Sequence, residues 1–184
     1  MPIWAIVLIA ILVILVLWAI VVQKRLIAAD EFCGNAMSQI GVQQNTRWDA
    51  LGALADLTKQ YDEYEYKTLS DVIEKRRQIG RNSTAADVME QENMITDAMN
   101  HIMAVAENYP DLKASKLYEN TMDGVKQYEE NVRLARMTYN DTVTKFNRLV
   151  RQLPTSIVAG MMKMSVRDYL ETPDDVKAMP ELKR

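Results

Sequence analysis

The chain opens with an unbroken run of 20 apolar residues, from Ile3 to Val22, that contains no charged side chain. A helix rises about 1.5 Å per residue, so this run would cover about 30 Å, the thickness of a bilayer's hydrocarbon core. Trp4 and Trp18 lie toward its two ends, where aromatic rings favour the headgroup level. The pattern predicts a single membrane-spanning helix followed by a water-soluble helical domain.

A cleaved signal peptide is the alternative interpretation of this run. It fits less well because no basic residue precedes the run, and a signal-peptide core is usually only about 7–15 residues long. A small-residue cleavage site does exist at Ala28–Ala29. Lys24 and Arg25 follow the run directly, and basic residues are retained on the cytoplasmic side. We therefore expect a single-pass membrane protein with its N-terminus outside and its helical domain in the cytoplasm.

Beyond the apolar run, a seam at helical spacing continues into the domain and predicts one long first helix. The seam steps by four and three residues alternately through Cys33, Met37, Ile40, Gln44, Arg47, Leu51, Leu54, Thr58 and Tyr61. The helical pattern extends to about Arg77, and Gly80 is the expected helix stop. A second helix is predicted from about residue 85 to residue 108, where Tyr109-Pro110 ends it.

A third helix is predicted from about Leu112 to Leu153, with Pro154 ending it. Apolar residues recur there every seven positions, which predicts a coiled-coil-like packing surface. They are Tyr118, Val125, Val132, Tyr139, Phe146 and Leu153. A short amphipathic stretch at 156–166 carries Met161, Met162 and Met164, which are candidates for contact with a partner or the bilayer interface.

The sequence therefore predicts an all-α fold, with one transmembrane helix continuing into an antiparallel bundle of three to four long helices. The expected boundaries are 1–22 for the anchor, 23–166 for the bundle and 167–184 for a polar C-terminal tail. The tail is expected to be disordered from Thr172, because Pro173 and Pro180 lie there among charged residues.

The net charge and the few potentially reactive residues do not alter the predicted fold and indicate no catalytic or metal site. The 47 charged residues all follow the apolar run, and their net charge of −3 gives no basic field for nucleic acid. The chain has one histidine, His101, and one cysteine, Cys33, whereas a zinc site needs several such ligands. We interpret Cys33 as structural and His101 as structural or on the surface, and we expect no cofactor, no metal and no enzymatic activity. The rival reading of Cys33 is a nucleophile, which would require a positioned base.

Polar residues at seam positions are the unusual feature of the pattern. Gln44 and Arg47 lie on the seam of the first predicted helix, and Glu129 and Arg136 lie on the seam of the third predicted helix. One interpretation is a buried ion-paired network that sets helix register; the other is a ligand or partner site inside the bundle. The expected network comprises Arg47, Asp49, Glu65, Glu129, Arg136 and Asn140.

Four blocks of sequence carry a family resemblance. The first block starts at Arg47-Trp48-Asp49 and continues in register to Arg76, and the second is AENYPDLK at 106–113. The third lies at 129–147 and the fourth, LPTSIVA, at 153–159. In this order behind an N-terminal anchor, they resemble the LemA family. Gly52-Ala53 and Tyr64 depart from the family's usual Pro-Asn and His, so no role of those residues carries over.

The resemblance implies a helical bundle anchored in a bacterial cell membrane, often with its soluble part in the cytoplasm, and with no established enzymatic activity. Related magnetosome proteins are linked to membrane biogenesis, which suggests a scaffolding role. We therefore expect a non-enzymatic scaffold or self-assembling module whose partners are the lipid bilayer and further copies of itself. The alternatives are a tethered adaptor or sensor for another membrane protein, such as a protease or signalling system, and an enzyme of unrecognised type.

Overall fold

The computed structural model describes residues 2–170, and within them it contains only helices and their connections. The helices are α1 (Ile3–Thr58), α2 (Glu63–Ile73), α3 (Ala85–Asn108), α4 (Pro110–Lys113), α5 (Lys116–Arg151) and α6 (Thr155–Met161). This architecture confirms the predicted all-α fold.

Helix α1 passes without a break from the apolar run into the domain. It contains 56 residues, which corresponds to a length of about 84 Å. Side chains of the apolar run are almost all exposed, whereas buried positions begin at Val22 and Leu26 and recur to Thr58. By length and composition α1 could cross a membrane, a test that a signal sequence also passes.

The expected continuation of the first helix to Arg77 is wrong, because α1 ends at Thr58. Asp62 begins a new helix: its carboxylate accepts hydrogen bonds from the backbone N–H groups of Tyr64 and Glu65. An aspartate followed three positions later by a glutamate is a helix-start signature. The periodic pattern concealed it because α2 continues the same apolar spacing.

Residues 74–84 cross over α1 in a non-helical conformation, so Gly80 is not the stop of a long helix. Ile79 is buried there against α1. The crossing occurs at Gly41, where an added Cβ would lie 2.0 Å from the carbonyl oxygen of Ile79. A glycine inside this helix thus provides the space for a second backbone.

The predicted third helix is divided in two. Helix α4 is a single turn, and α5 starts at Lys116, capped by the hydroxyl of Ser115, which accepts from the N–H of Tyr118. The predicted start at Leu112 is therefore wrong. Five of the six residues spaced by seven are buried along α5, but Leu153 lies beyond the helix and is exposed.

Helix α5 runs antiparallel to α1, as the three core clusters show. The start of α5, at Tyr118 and Val125, packs with the end of α1 around Trp48. Its second half, at Tyr139 and Phe146, packs with Cys33, Met37 and Ile40. Below these, α6 packs through Val158 and Ala159 onto Val22 and Leu26, with Trp18 and Ala19 against the same cluster. The seam of α5 is thus buried within the chain.

The chain after α6 forms a strap, residues 163–170, along α5. Lys163 adopts a left-handed conformation (φ 55°) that turns the chain out of α6. Asn147 then binds both backbone groups of Arg167, and the Arg167 guanidinium binds Asp30 of α1 at 2.8 Å. Residues 167–170 of the predicted tail are therefore packed on the bundle, whereas 171–184 lie outside the described residues.

Candidate functional site

Three charged side chains meet in the middle of the bundle: Arg47 of α1, Glu92 of α3 and Arg136 of α5. Each exposes no more than 9% of its surface. Nη1 of Arg136 lies 2.8 Å from Oε2 of Glu92, while Nη2 of Arg47 lies 3.7 Å from Oε1 of Glu129, whose side chain is mostly exposed. Gln44 is buried beside them, donating to the carbonyl of Val88 at 3.3 Å. We call Gln44, Arg47, Glu92 and Arg136 the buried charge cluster.

Burial dominates the electrostatics of the buried charge cluster. It lowers the pKa of Arg47, and the nearby carboxylates of Glu129 and Glu92 only partly oppose this effect. It raises the pKa of Glu92, against the opposing influence of Arg136 and Arg47. Nε of Arg47 is buried and has no hydrogen-bond partner among residues 2–170. An arginine with an unpaired buried N–H costs stability.

The six polar residues expected from the sequence do not form one network. Arg47, Glu129 and Arg136 lie in or beside the buried charge cluster, and the other three have separate partners. Asp49 pairs with Arg76 at 2.9 Å on the surface, and Glu65 pairs with Nε2 of His101 at 2.6 Å. Asn140 binds the backbone N–H and C=O of Leu170, each at 2.9 Å.

Glu92 completes the buried charge cluster and was missed by the sequence reasoning. The apolar stripe of α3 includes Val88 and Ile95, seven residues apart, and Glu92 falls between them on the same face. A carboxylate in that gap could have been recognised as the partner of an arginine on a neighbouring seam. Its actual partner, however, depends on which helices pack together.

A shallow groove of about 380 Å³ lies between α2 and α3. Its walls include Leu69, Val72, Met94 and Ala98, and its polar groups include His101, which is engaged by Glu65. Among the residues that the structure describes, no three His, Cys, Asp or Glu side chains are grouped so as to hold a metal ion. The lining of the groove also includes Thr68, Lys75 and Asp97.

Cys33 lies in the core between α1 and α5, fully shielded from solvent. Burial raises the pKa of its thiol, and the Thr142 hydroxyl and the Arg167 charge only partly oppose this effect. Raising the pKa favours the unreactive thiol over the thiolate. The geometry fits the structural interpretation of Cys33.

Comparisons with known proteins identify the family of this chain. Residues 36–183 match the family model described as the LemA family. A relative named Protein LemA, from Metamycoplasma hominis, is 28% identical over 134 residues, which cover 71% of this chain and 60% of the relative. The chain thus spans less than two thirds of that relative's length. Because the family model matches most of its length, the chain belongs to the LemA family.

Proposed function

We propose that this protein is a membrane-anchored helical module that acts by interaction, as a self-assembling scaffold on the membrane. The observation that carries the proposal is the continuity of α1, whose apolar first third leads without a break into the bundle core. An anchor joined to a domain by continuous helix holds that domain in a defined position above the bilayer. Membership of the LemA family is compatible with this role.

Retention of the anchor is favoured by the packing of α6. Trp18, Ala19, Val22 and Leu26 contribute to the cluster around α6. Cleavage at Ala28–Ala29 would cut α1 inside a helix and remove all four of these residues. The intact mass of the protein extracted from its own membranes tests this directly. The uncleaved chain has a mass of 21.1 kDa, and a product lacking its first 28 residues would refute the anchor.

The orientation of the domain is a second part of the proposal. Lys24 and Arg25 directly after the apolar run favour a cytoplasmic domain. Cys33 is too deeply buried to report the orientation by labelling, so an exposed position is needed. In a Cys33→Ala background, Asn120→Cys on α5 should resist an impermeant thiol reagent in intact cells and react after lysis. Labelling of intact cells would place the domain outside.

Self-assembly needs a surface other than the heptad face of α5, which is already buried against α1. Large apolar side chains on the opposite side of α5, Leu134 and Met137, are exposed and available. Light scattering of the full-length protein in detergent or lipid nanodiscs measures the number of copies per particle. A strictly monomeric particle in both would refute self-assembly.

A membrane-tethered adaptor or sensor is the second candidate, and the stiffness of α1 favours it. A helix that passes straight from bilayer to bundle core transmits displacement of one end to the other. Crosslinking in native membranes followed by mass spectrometry separates the two candidates. Links between copies of this chain support the scaffold, whereas one dominant foreign membrane protein supports the adaptor.

A further inference from the structure

Helix α6 lies at the level where the apolar run of α1 ends. Its inner residues, Val158 and Ala159, pack on Val22 and Leu26, and Trp18 packs against the same cluster. If α1 is anchored as proposed above, α6 therefore lies at the boundary between hydrocarbon and headgroups. We call this end of the molecule, residues 23–32 of α1 together with residues 142–163, the basal face.

The outer side of α6 presents an apolar stripe without a partner in the fold. Ile157 and Met161, one turn apart on α6, expose 58% and 82% of their surfaces, and Leu153, just before the helix, exposes 72%. A short helix with one apolar side packed on the protein and another apolar side exposed is unfavourable in water. The same arrangement is favourable where the outer side meets the edge of a bilayer.

Cations are concentrated on the basal face. Residues 23–32 and 142–163 contain six of the 22 Lys and Arg residues and only two of the 25 Asp and Glu residues, Asp30 and Glu31. Asp30 is paired with Arg167. All six Lys and Arg side chains are exposed, and none forms an ion pair within residues 2–170. They are Lys24, Arg25, Lys145, Arg148, Arg151 and Lys163. The chain as a whole is acidic, with a net charge of −3, so this segregation gives one end of the molecule the opposite sign.

A groove of about 450 Å³ between α1 and α5 opens on the basal face. Its walls are mainly apolar, from Ala28, Ala29, Phe32 and Leu149, and its two cations are Arg25 and Lys145. Arg25 lies three residues beyond Val22, a rise of about 4.5 Å along the helix. The headgroup layer on each side of a bilayer is about 5–8 Å thick, so Arg25 lies at phosphate depth.

We propose that the basal face binds anionic phospholipid: Leu153, Ile157 and Met161 enter the bilayer boundary, and Arg25 and Lys145 hold the phosphate of a phosphatidylglycerol-type headgroup in the groove. Charge complementarity selects the anionic headgroup. Position selects a lipid over other polyanions, because the groove begins within one helical turn of the end of the apolar run. This inference rests on the proposed anchoring and adds a lipid preference to it.

The lipid preference is measured on the full-length protein in nanodiscs that contain equal amounts of phosphatidylglycerol and phosphatidylcholine. Native mass spectrometry of the released protein gives the ratio of the two lipids that remain bound. We expect phosphatidylglycerol to be retained preferentially, and Arg25→Gln with Lys145→Gln to reduce that preference by about fivefold for each cation removed. The matched control is Lys67→Gln with Lys116→Gln, which removes the same charge from exposed positions elsewhere on the domain and should leave the preference unchanged.

The depth of α6 is a second, independent readout. A spin label at Met161→Cys in the Cys33→Ala background should be relaxed more by oxygen than by a water-soluble nickel complex. A label at Asn120→Cys should show the reverse order. Equal water access at both positions would overturn the apolar part of the inference.

The outcomes separate this inference from the proposed function. Protein that enters the disc without preferring phosphatidylglycerol, or a double variant with the wild-type preference, overturns the lipid inference and leaves the anchor intact. If the control variant with Lys67→Gln and Lys116→Gln loses the lipid preference to the same extent, the preference is a general charge effect, and the proposed lipid site in the groove is refuted. Protein that fails to enter the disc overturns both proposals.

Discussion

Replacement of Gly41 by alanine tests the crossing of residues 74–84 over α1. A Cβ at position 41 would lie 2.0 Å from the carbonyl oxygen and 2.9 Å from the carbonyl carbon of Ile79. Both are backbone atoms, so no side-chain rotation relieves the overlap. The crossing segment has to move until that carbonyl reaches an ordinary contact of at least 3.4 Å.

The cost of Gly41→Ala follows from what that movement uncovers. Ile79 is 5% exposed and packs in the cluster with Cys33 and Ile40. Loss of most of this burial costs about 1.5–3 kcal/mol. Replacing a glycine inside a helix returns about 1 kcal/mol. The free energy of unfolding should therefore fall by about 0.5–2 kcal/mol.

Gly52→Ala is the matched control in the same helix. A Cβ there meets nothing within 4 Å, so only the gain of about 1 kcal/mol in helix propensity applies. Urea unfolding of the full-length protein in detergent, followed by far-UV circular dichroism, should separate the two variants by about 1.5–3 kcal/mol. Hydrogen exchange should accelerate at residues 74–84 in the Gly41 variant alone. Gly41→Ala as stable as Gly52→Ala, with unchanged exchange, would refute the close crossing.

Further predictions concern single buried groups. Burial raises the pKa of Glu92, so the folded state binds the proton of this carboxyl group more tightly than the unfolded state does. The protonated carboxyl therefore stabilises the fold below the unfolded-state pKa, and this stabilisation is lost as the pH rises through the folded-state pKa. Urea unfolding at several pH values should show wild type losing stability relative to Glu92→Gln as pH rises, and a constant difference would contradict the raised pKa. Asn147→Ala should lower the free energy of unfolding by about 2–3 kcal/mol, because it breaks two hydrogen bonds to the backbone of Arg167. The exposed control, Asn120→Ala, should change it by no more than about 0.5 kcal/mol. Equal unfolding midpoints for the two variants would refute a stabilising role of Asn147. A thiol reagent should modify Cys33 only at the rate of unfolding, and modification as fast as in the urea-unfolded chain would contradict its burial.

Features determined by local pattern were predictable from the sequence. The apolar run, the helix at 85–108 and the seven-residue spacing of α5 depend on periods of a few residues, and the structure has them at those positions. The seam from Cys33 to Thr58 is also buried as its spacing indicates, including the polar Gln44 and Arg47. Side-chain direction along a helix is a local property, so a single sequence carries it.

The ends of helices were less predictable, because periodicity passes over caps. Asp62 and Ser115 each start a helix by accepting backbone hydrogen bonds, and both interrupted segments that the apolar pattern had joined. The capping signature at Asp62-Glu65 was present in the sequence. A competition between continuing a helix and capping a new one is decided by small local free energies.

Only the tertiary structure determined which residues meet across the chain. Glu92 pairs with Arg136, Glu65 with His101, and Arg167 with Asp30 across 137 residues of sequence. Such partners depend on the relative placement of helices, which follows from the packing of whole faces and the path of the connections. The position of α6 against the end of the apolar run has the same origin. The sequence by itself therefore determined an apolar helix and an all-α domain, while the packing of distant segments created the buried charge cluster and the basal face.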